Sequence, residues 1–272
     1  MIAWRRLFIT VGLVATLLSA GACGGKKKDT VHAGDLSADA TFERATKLLA
    51  EHQLRQATAA LKRIQFAQET RAEIEPLTRL ALADATFYQG TAISWIDARN
   101  LYLDFVTLNG DHALAPYAQL QVGLCSLKQV SQPSKDQELT KQAIRDLRAV
   151  EQRWPDAAYT IASRTMLLEA RANLAESEYL IGKFYFKKKN YTAAIERFRI
   201  ILAQFPDFQD VDKVLFHMAQ ANAKNGNSVI ARGYLDRLLS DYPSSGFLDP
   251  ARKLLGSMEP PFQSDVVTEP SE

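Results

Sequence analysis

Residues 178–208, EYLIGKFYFKKKNYTAAIERFRIILAQFPDF, hold two amphipathic stretches, the second closed by Phe205-Pro206-Asp207. Apolar residues recur at steps of three and four, the period of a helix that buries one face. Proline ends such a helix because it has no N–H to give to the preceding turn, and the small polar residue after it suits the cap of the next one. Ala194 stands twelve positions before Pro206, and Phe198 eight before it. The same ending recurs at Trp154-Pro155-Asp156 and Tyr242-Pro243-Ser244, and the same steps back land on Ala143 with Leu147 and on Ala231 with Leu235. A small residue followed four later by a large one lets two helices cross closely, the first admitting the partner and the second filling the gap.

This spacing resembles the tetratricopeptide repeat, a helix-turn-helix unit of about 34 residues. The fullest copy carries Ile181-Gly182, Tyr185, Ala194, Phe198 and Pro206; the next has Met218-Ala219, Gly226 at the turn between helices, Ala231, Leu235 and Pro243. An earlier copy starts at Val122-Gly123, crosses a lengthened polar loop at residues 131–136, and resumes at Ala143, Leu147 and Pro155. Two more are degenerate: one has Ala98, Tyr102 and Phe105 before Asn109-Gly110-Asp111, and the first has Ala45, Ala57, Leu61 and Ile64, with Glu69 where a proline should close it. The expectation is an all-α solenoid over residues 38–256, with five repeats and ten principal helices stacked in a right-handed superhelix.

The flanks read differently. Arg5 and Arg6 precede an apolar run at residues 7–18, and Ala20, Gly21 and Ala22 lead to Cys23. As a helix that run covers about 18 Å against a bilayer core of about 30 Å, so residues 1–22 are expected to be a cleaved signal peptide rather than a span. The cleavage region resembles the lipobox of bacterial lipoproteins, with Ala20 where leucine is usual. That resemblance implies that Cys23 becomes the first mature residue and carries N-acyl and S-diacylglycerol groups, the palmitate-type anchor. Gly24, in place of the aspartate that retains lipoproteins at the inner membrane of enteric bacteria, implies export to the outer membrane. Residues 23–37, with Lys26-Lys27-Lys28, are expected to be a flexible tether. Residues 257–272, with Pro260, Pro261 and Pro270 among several acids, are expected to be a disordered tail.

Without Arg5 and Arg6 the 33 basic residues come level with the 31 acidic ones, so no global field points to nucleic acid. With Cys23 acylated, Cys125 is left alone and no internal disulfide is possible. Cys125 sits among Leu124 and Leu127, a setting for a small buried hydrophobe. His32, His52, His112 and His217 are scattered without ligand spacing, there is no phosphate-cradling glycine loop, and Glu176 and Glu178 lie two apart, off a common helical face. No enzyme, metal, cofactor or small-molecule substrate is expected.

Arg171, Leu174-Ala175 and Glu178, then Phe184-Tyr185, then Ala193-Ala194-Ile195, Arg197 and Phe198 follow in order. In this pattern the chain resembles the BamD family, the repeat lipoproteins of the outer-membrane β-barrel assembly machine, in which a long helix ending Arg-x-x-Leu-Ala-x-x-Glu leads into a Phe-Tyr helix. The resemblance implies a non-enzymatic scaffold that docks on the periplasmic POTRA domains of the barrel insertase, sits beside other assembly lipoproteins, and helps receive unfolded barrel proteins. It places Arg197 in the half that meets the insertase, with Lys187, Lys188 and Lys189 beside it. The first repeats are associated with the client; there Phe42, Thr46 and Leu49 are either groove or core, and residues 64–71 depart from the family's Tyr-Pro-Phe-like turn. The alternative is a periplasmic repeat adaptor for envelope maintenance or cell-wall synthesis of the Tol-Pal type, although residues 39–67 lack the sustained heptads of a coiled-coil start.

Overall fold

The computed structural model describes residues 37–65, 73–130 and 132–258. Among them eleven helices follow one another: α1 (Ala38–Ala50), α2 (Leu54–Gln65), α3 (Ile74–Phe87), α4 (Ala92–Leu108), α5 (Ala115–Leu127), α6 (Glu138–Arg153), α7 (Tyr159–Lys187), α8 (Tyr191–Gln204), α9 (Val211–Lys224), α10 (Ser228–Asp241) and α11 (Leu248–Gly256). Each packs on the next in chain order, and α1 touches α3, α5 touches α7, and α7 touches α9. Hairpins stacked side by side in this way form a tetratricopeptide-type solenoid.

Short-range chemistry sets the ends. Thr91 and Ser94 cap α4 reciprocally, and Asn190 accepts the Ala193 N–H at the start of α8. Trp154, Phe205 and Tyr242 close α6, α8 and α10 with nearly the same dihedrals, φ −138 to −127° and ψ 59 to 65°. The proline that follows each of them disfavours the helical region for the residue before it.

The small-then-large pairs behave as read: Ala143, Leu147, Ala194, Phe198, Ala231 and Leu235 are all fully buried. Gly182 explains the glycine of the repeat pattern, since a Cβ there would stand 2.5 Å from Phe198 Cε1; Gly123 plays the same part for Leu147, at 2.7 Å.

Two features depart from the sequence reading. The expected long helix and Phe-Tyr helix are one helix, α7, of 29 residues. No proline or free-standing glycine interrupts it, because Gly182 is a notch for Phe198 and not a hinge. Among the described residues the count is also eleven rather than ten, as α11 caps the last hairpin by burying Ala251 and packing Leu254 and Leu255 on the rear core, with Met258 just beyond it. Residues 1–36, with Cys23 and Lys26 to Lys28, and residues 259–272 lie outside the described residues.

Candidate functional site: the two flanks of a long helix

Helix α7 joins two sets of repeats. Its first half is fastened to the preceding hairpin: Ser163 Oγ donates to the Leu147 carbonyl at 2.8 Å, Arg164 pairs with Glu151 at 2.7 Å, and the Tyr159 ring lies 5.5 Å from that of Tyr117 on α5. Its second half is fastened to the following one. Arg171 donates to both carboxylate oxygens of Asp207, at 2.9 and 2.6 Å, and to the Gln204 carbonyl at 2.8 Å, clamping the turn after α8. That pairing holds the Asp207 carboxyl below the usual carboxylate range. Glu178 pairs with Arg197 at 3.0 Å, and Glu176 with Lys213 at 2.8 Å. Lys213 also reaches Asp210 at 2.6 Å and lies 4.8 Å from the centre of the Tyr179 ring.

Because each half of α7 has neighbours on one side, each leaves a bare flank. On the first half Ile161 and Leu168 are 73% and 54% exposed. Leu168 borders a groove of about 480 Å³ shared by Arg148, Arg164, Arg171 and Pro206. On the second half Leu180 and Phe184 are 37% and 56% exposed. At ~100° per residue the two flanks stand roughly 130° apart around the helix.

Leu180, Lys183, Phe184, Lys187 and Lys188 follow the i, i+3, i+4, i+7, i+8 steps of one helical face. The Lys183 ammonium lies 5.6 Å from the centre of the Tyr179 ring and that of Lys188 5.8 Å from Phe184. Lys183, Lys187, Lys188 and Lys189 have no carboxylate partner among the described residues.

Lys189 adds a conformational oddity. It sits just past α7 with φ +60°, donating its N–H to Phe186 while Asn190 donates to Tyr185. This is the Schellman closure, which ordinarily takes glycine. Gly90 and Gly226 hold the left-handed position after α3 and α9, while His52 holds it after α1 with the same pair of backbone hydrogen bonds as Lys189. A lysine there carries a steric cost of about 1–2 kcal/mol.

The front of the molecule uses polar groups differently. Asp84 on α3 accepts hydrogen bonds from Tyr102 at 2.5 Å and Tyr117 at 2.8 Å on a single oxygen, tying three helices together. Burial pushes its carboxyl up to about 6, although the two tyrosines pull it down. Arg99 pairs with Asp146 at 2.8 Å between α4 and α6. Cys125 is fully buried and burial pushes its thiol up to about 12, which leaves it inert.

Of the residues singled out in the sequence, Lys187, Lys188 and Lys189 stand together and exposed at the end of α7. Arg197 is not a free cation: it is 37% exposed and bridges to Glu178, so it braces α8 against α7. The charged residues of the family pattern thus answer one another, Arg171 to Asp207 and Glu178 to Arg197. Phe42 and Leu49 pack on the front core, and Thr46 Oγ1 turns back to the Glu43 carbonyl, so none of the three forms an open groove wall by itself. Sequence reasoning missed Leu180, Lys183 and Phe184, although their spacing was the available signal. It also missed Asp84, whose partners are 18 and 33 residues away.

Among the described residues no helix is long and apolar enough to cross a membrane, and no group of histidine, cysteine and carboxylate side chains is gathered as for a metal ion. Residues 34–233 match the YfiO family, described as outer membrane lipoprotein. The outer membrane protein assembly factor BamD of Caulobacter vibrioides is 29% identical over 153 residues, which are 50% of this chain and 50% of that protein. The chain thus spans about half the length of that relative. The outer membrane protein assembly factor BamD of Rickettsia prowazekii is 25% identical over 245 residues, 89% of this chain and 96% of that one. Among solved structures, the complex of the yeast Sti1 TPR2AB domain with pHSP90 is 16% identical with a TM-score of 0.40, covering 76% of this chain and 78% of that one. A thermophilic TPR protein of Thermus thermophilus is 13% identical with a TM-score of 0.34, covering 81% and 98%.

Proposed function

Because the chain belongs to the YfiO family of outer membrane lipoproteins, we propose that it is a non-enzymatic scaffold of outer-membrane protein assembly, anchored through acylated Cys23 and facing the periplasm. Its relatives' role as assembly factors supports the general reading. In the finer reading, the second half of α7 docks on a POTRA domain of the barrel insertase, other assembly lipoproteins bind alongside, and the front repeats help receive unfolded barrel clients.

One observation carries the choice of surface. Four lysines without carboxylate partners among the described residues flank a half-exposed phenylalanine, and one of them, Lys189, is held where glycine would be less strained. His52 closes α1 with the same left-handed backbone, so it is the row of lysines beside the phenylalanine, and not the strain alone, that singles out this surface. Unpaired lysines contribute on-rate and partner choice, while the aromatic supplies buried contact area. Arg197 acts from beneath, by fixing α8 against Glu178.

The test is recovery of partners from solubilised membranes with the full-length protein. A POTRA-bearing barrel should co-purify, and reversing Lys187, Lys188 and Lys189 to Glu should weaken its binding at least tenfold with the helical content unchanged. Recovery of cell-wall synthesis enzymes in its place rejects the reading in favour of the envelope adaptor. Incorporation of labelled palmitate that is lost in Cys23→Ala checks the anchor.

A further inference from the structure

The lysine flank has a candidate occupant in the chain itself. Residues 259–272, EPPFQSDVVTEPSE, carry Glu259, Asp265, Glu269 and Glu272 with no basic residue, and Phe262, Val266 and Val267 between the acids. The flank on α7 is the complement, with Lys183, Lys187, Lys188 and Lys189 around Leu180 and Phe184.

The geometry permits the meeting. Arg232 on α10 donates to the Met258 carbonyl at 2.5 Å, which fixes the point from which the acidic segment departs. Between α10 and α7 stand α9 and α8, and at ~8–10 Å between packed axes those two axes are about 30 Å apart at most; the flank lies on the side of α7 away from α8 and α9, which adds a helix radius of about 5 Å. Fourteen extended residues reach about 46 Å. The segment is therefore long enough, when extended, to reach the flank. Because the acids and the lysines belong to one chain their meeting is intramolecular, so weak pairing suffices.

We propose that the acidic segment after α11 folds back over the lysine flank of α7 and occupies it until a protein partner displaces it. The proposal rests on the docking reading above for the partner, but not for the fold-back itself. An unpaired row of lysines is thereby screened in the unbound protein, and only a partner with better shape and charge complementarity exposes it.

Carbodiimide joins carboxylates to lysines that touch, leaving no spacer, and is applied to the purified full-length chain with peptide mapping. The pair Lys213 with Glu176 serves as internal control. Tail acids should join Lys183, Lys187, Lys188 or Lys189 at least tenfold more than they join Lys47, Lys62 or Lys253, and the links should fade at about 1 M salt, where screening acts within ~3 Å. Tail links scattered over all lysines, or none while the control forms, overturn the fold-back. In a second arm the full-length E259Q/D265N/E269Q/E272Q variant should bind an isolated POTRA domain three- to tenfold more tightly than the parent; equal affinity overturns the competition. If neither protein binds the POTRA domain, it is the docking reading that fails, and the cross-links alone decide the fold-back.

Discussion

Repeats two and three and repeats four and five are packed alike and wired differently. Both bury a large side chain in a glycine notch, Leu147 against Gly123 and Phe198 against Gly182. In the front pair, polar groups are drawn inward, with Asp84 beneath two tyrosines. In the rear pair, carboxylates are matched by arginine and lysine near the surface, and four lysines are left over. The same helical hairpin thus serves as a rigid core in one place and as a charged display in another, according to where the carboxylates sit.

The shared packing carries the largest expected effect. Phe198→Ala should cost about 3–5 kcal/mol and Leu147→Ala about 2–5 kcal/mol in urea unfolding, since both leave cavities in fully buried sites. A loss below about 1 kcal/mol in one alone would show that the two halves are not packed by the same rule.

The wiring responds to pH. Asp84 has a folded pKa of about 6, above its ordinary value of 3.8. Its folded state therefore holds the proton more tightly, and its contribution to stability is complete below about pH 4 and lost as pH rises through about 6. Asp207 has the opposite sign: its carboxyl is lowered by Arg171, so its contribution is present above the ordinary carboxylate range and lost as pH falls through its depressed value. Asp84→Asn should flatten the decline between about pH 4 and 6, and Asp207→Asn should flatten the acid limb below it. Equal slopes in both variants would remove the contrast.

The smallest effect is expected at Lys189. Lys189→Gly should raise stability by up to about 1 kcal/mol, by relieving the left-handed residue after α7. It should also weaken capture of the POTRA domain proposed as partner. A gain in stability with no loss of binding would leave the strain without a role.

Much of the fold was legible because its causes are local. Helical period, aromatic-proline closures and the alanine four residues before a large side chain act within one or two turns of chain, so the hairpins can be read from neighbours in sequence. The second half of α7 was harder: nothing between Arg171 and Lys187 distinguishes one helix from two, because continuity depends on whether a breaker is present and on what packs against the helix. The lysines at 187–189 were visible as a run, but their freedom was not. Whether a charge is spent or spare depends on a partner such as Glu178, Asp207 or Glu176, lying 19, 36 or 37 residues from its cation.

The order of residues alone was enough for the all-helical repeats, the small-then-large pairs and the inert Cys125, since each follows from backbone geometry and hydrophobic spacing. The bracing of Arg197, the titration of Asp84 near 6 and the two bare flanks of α7 emerged only once the helices were packed. Ion pairing and burial act through space over a few ångströms, and in a solenoid those few ångströms are crossed between residues that the chain keeps far apart.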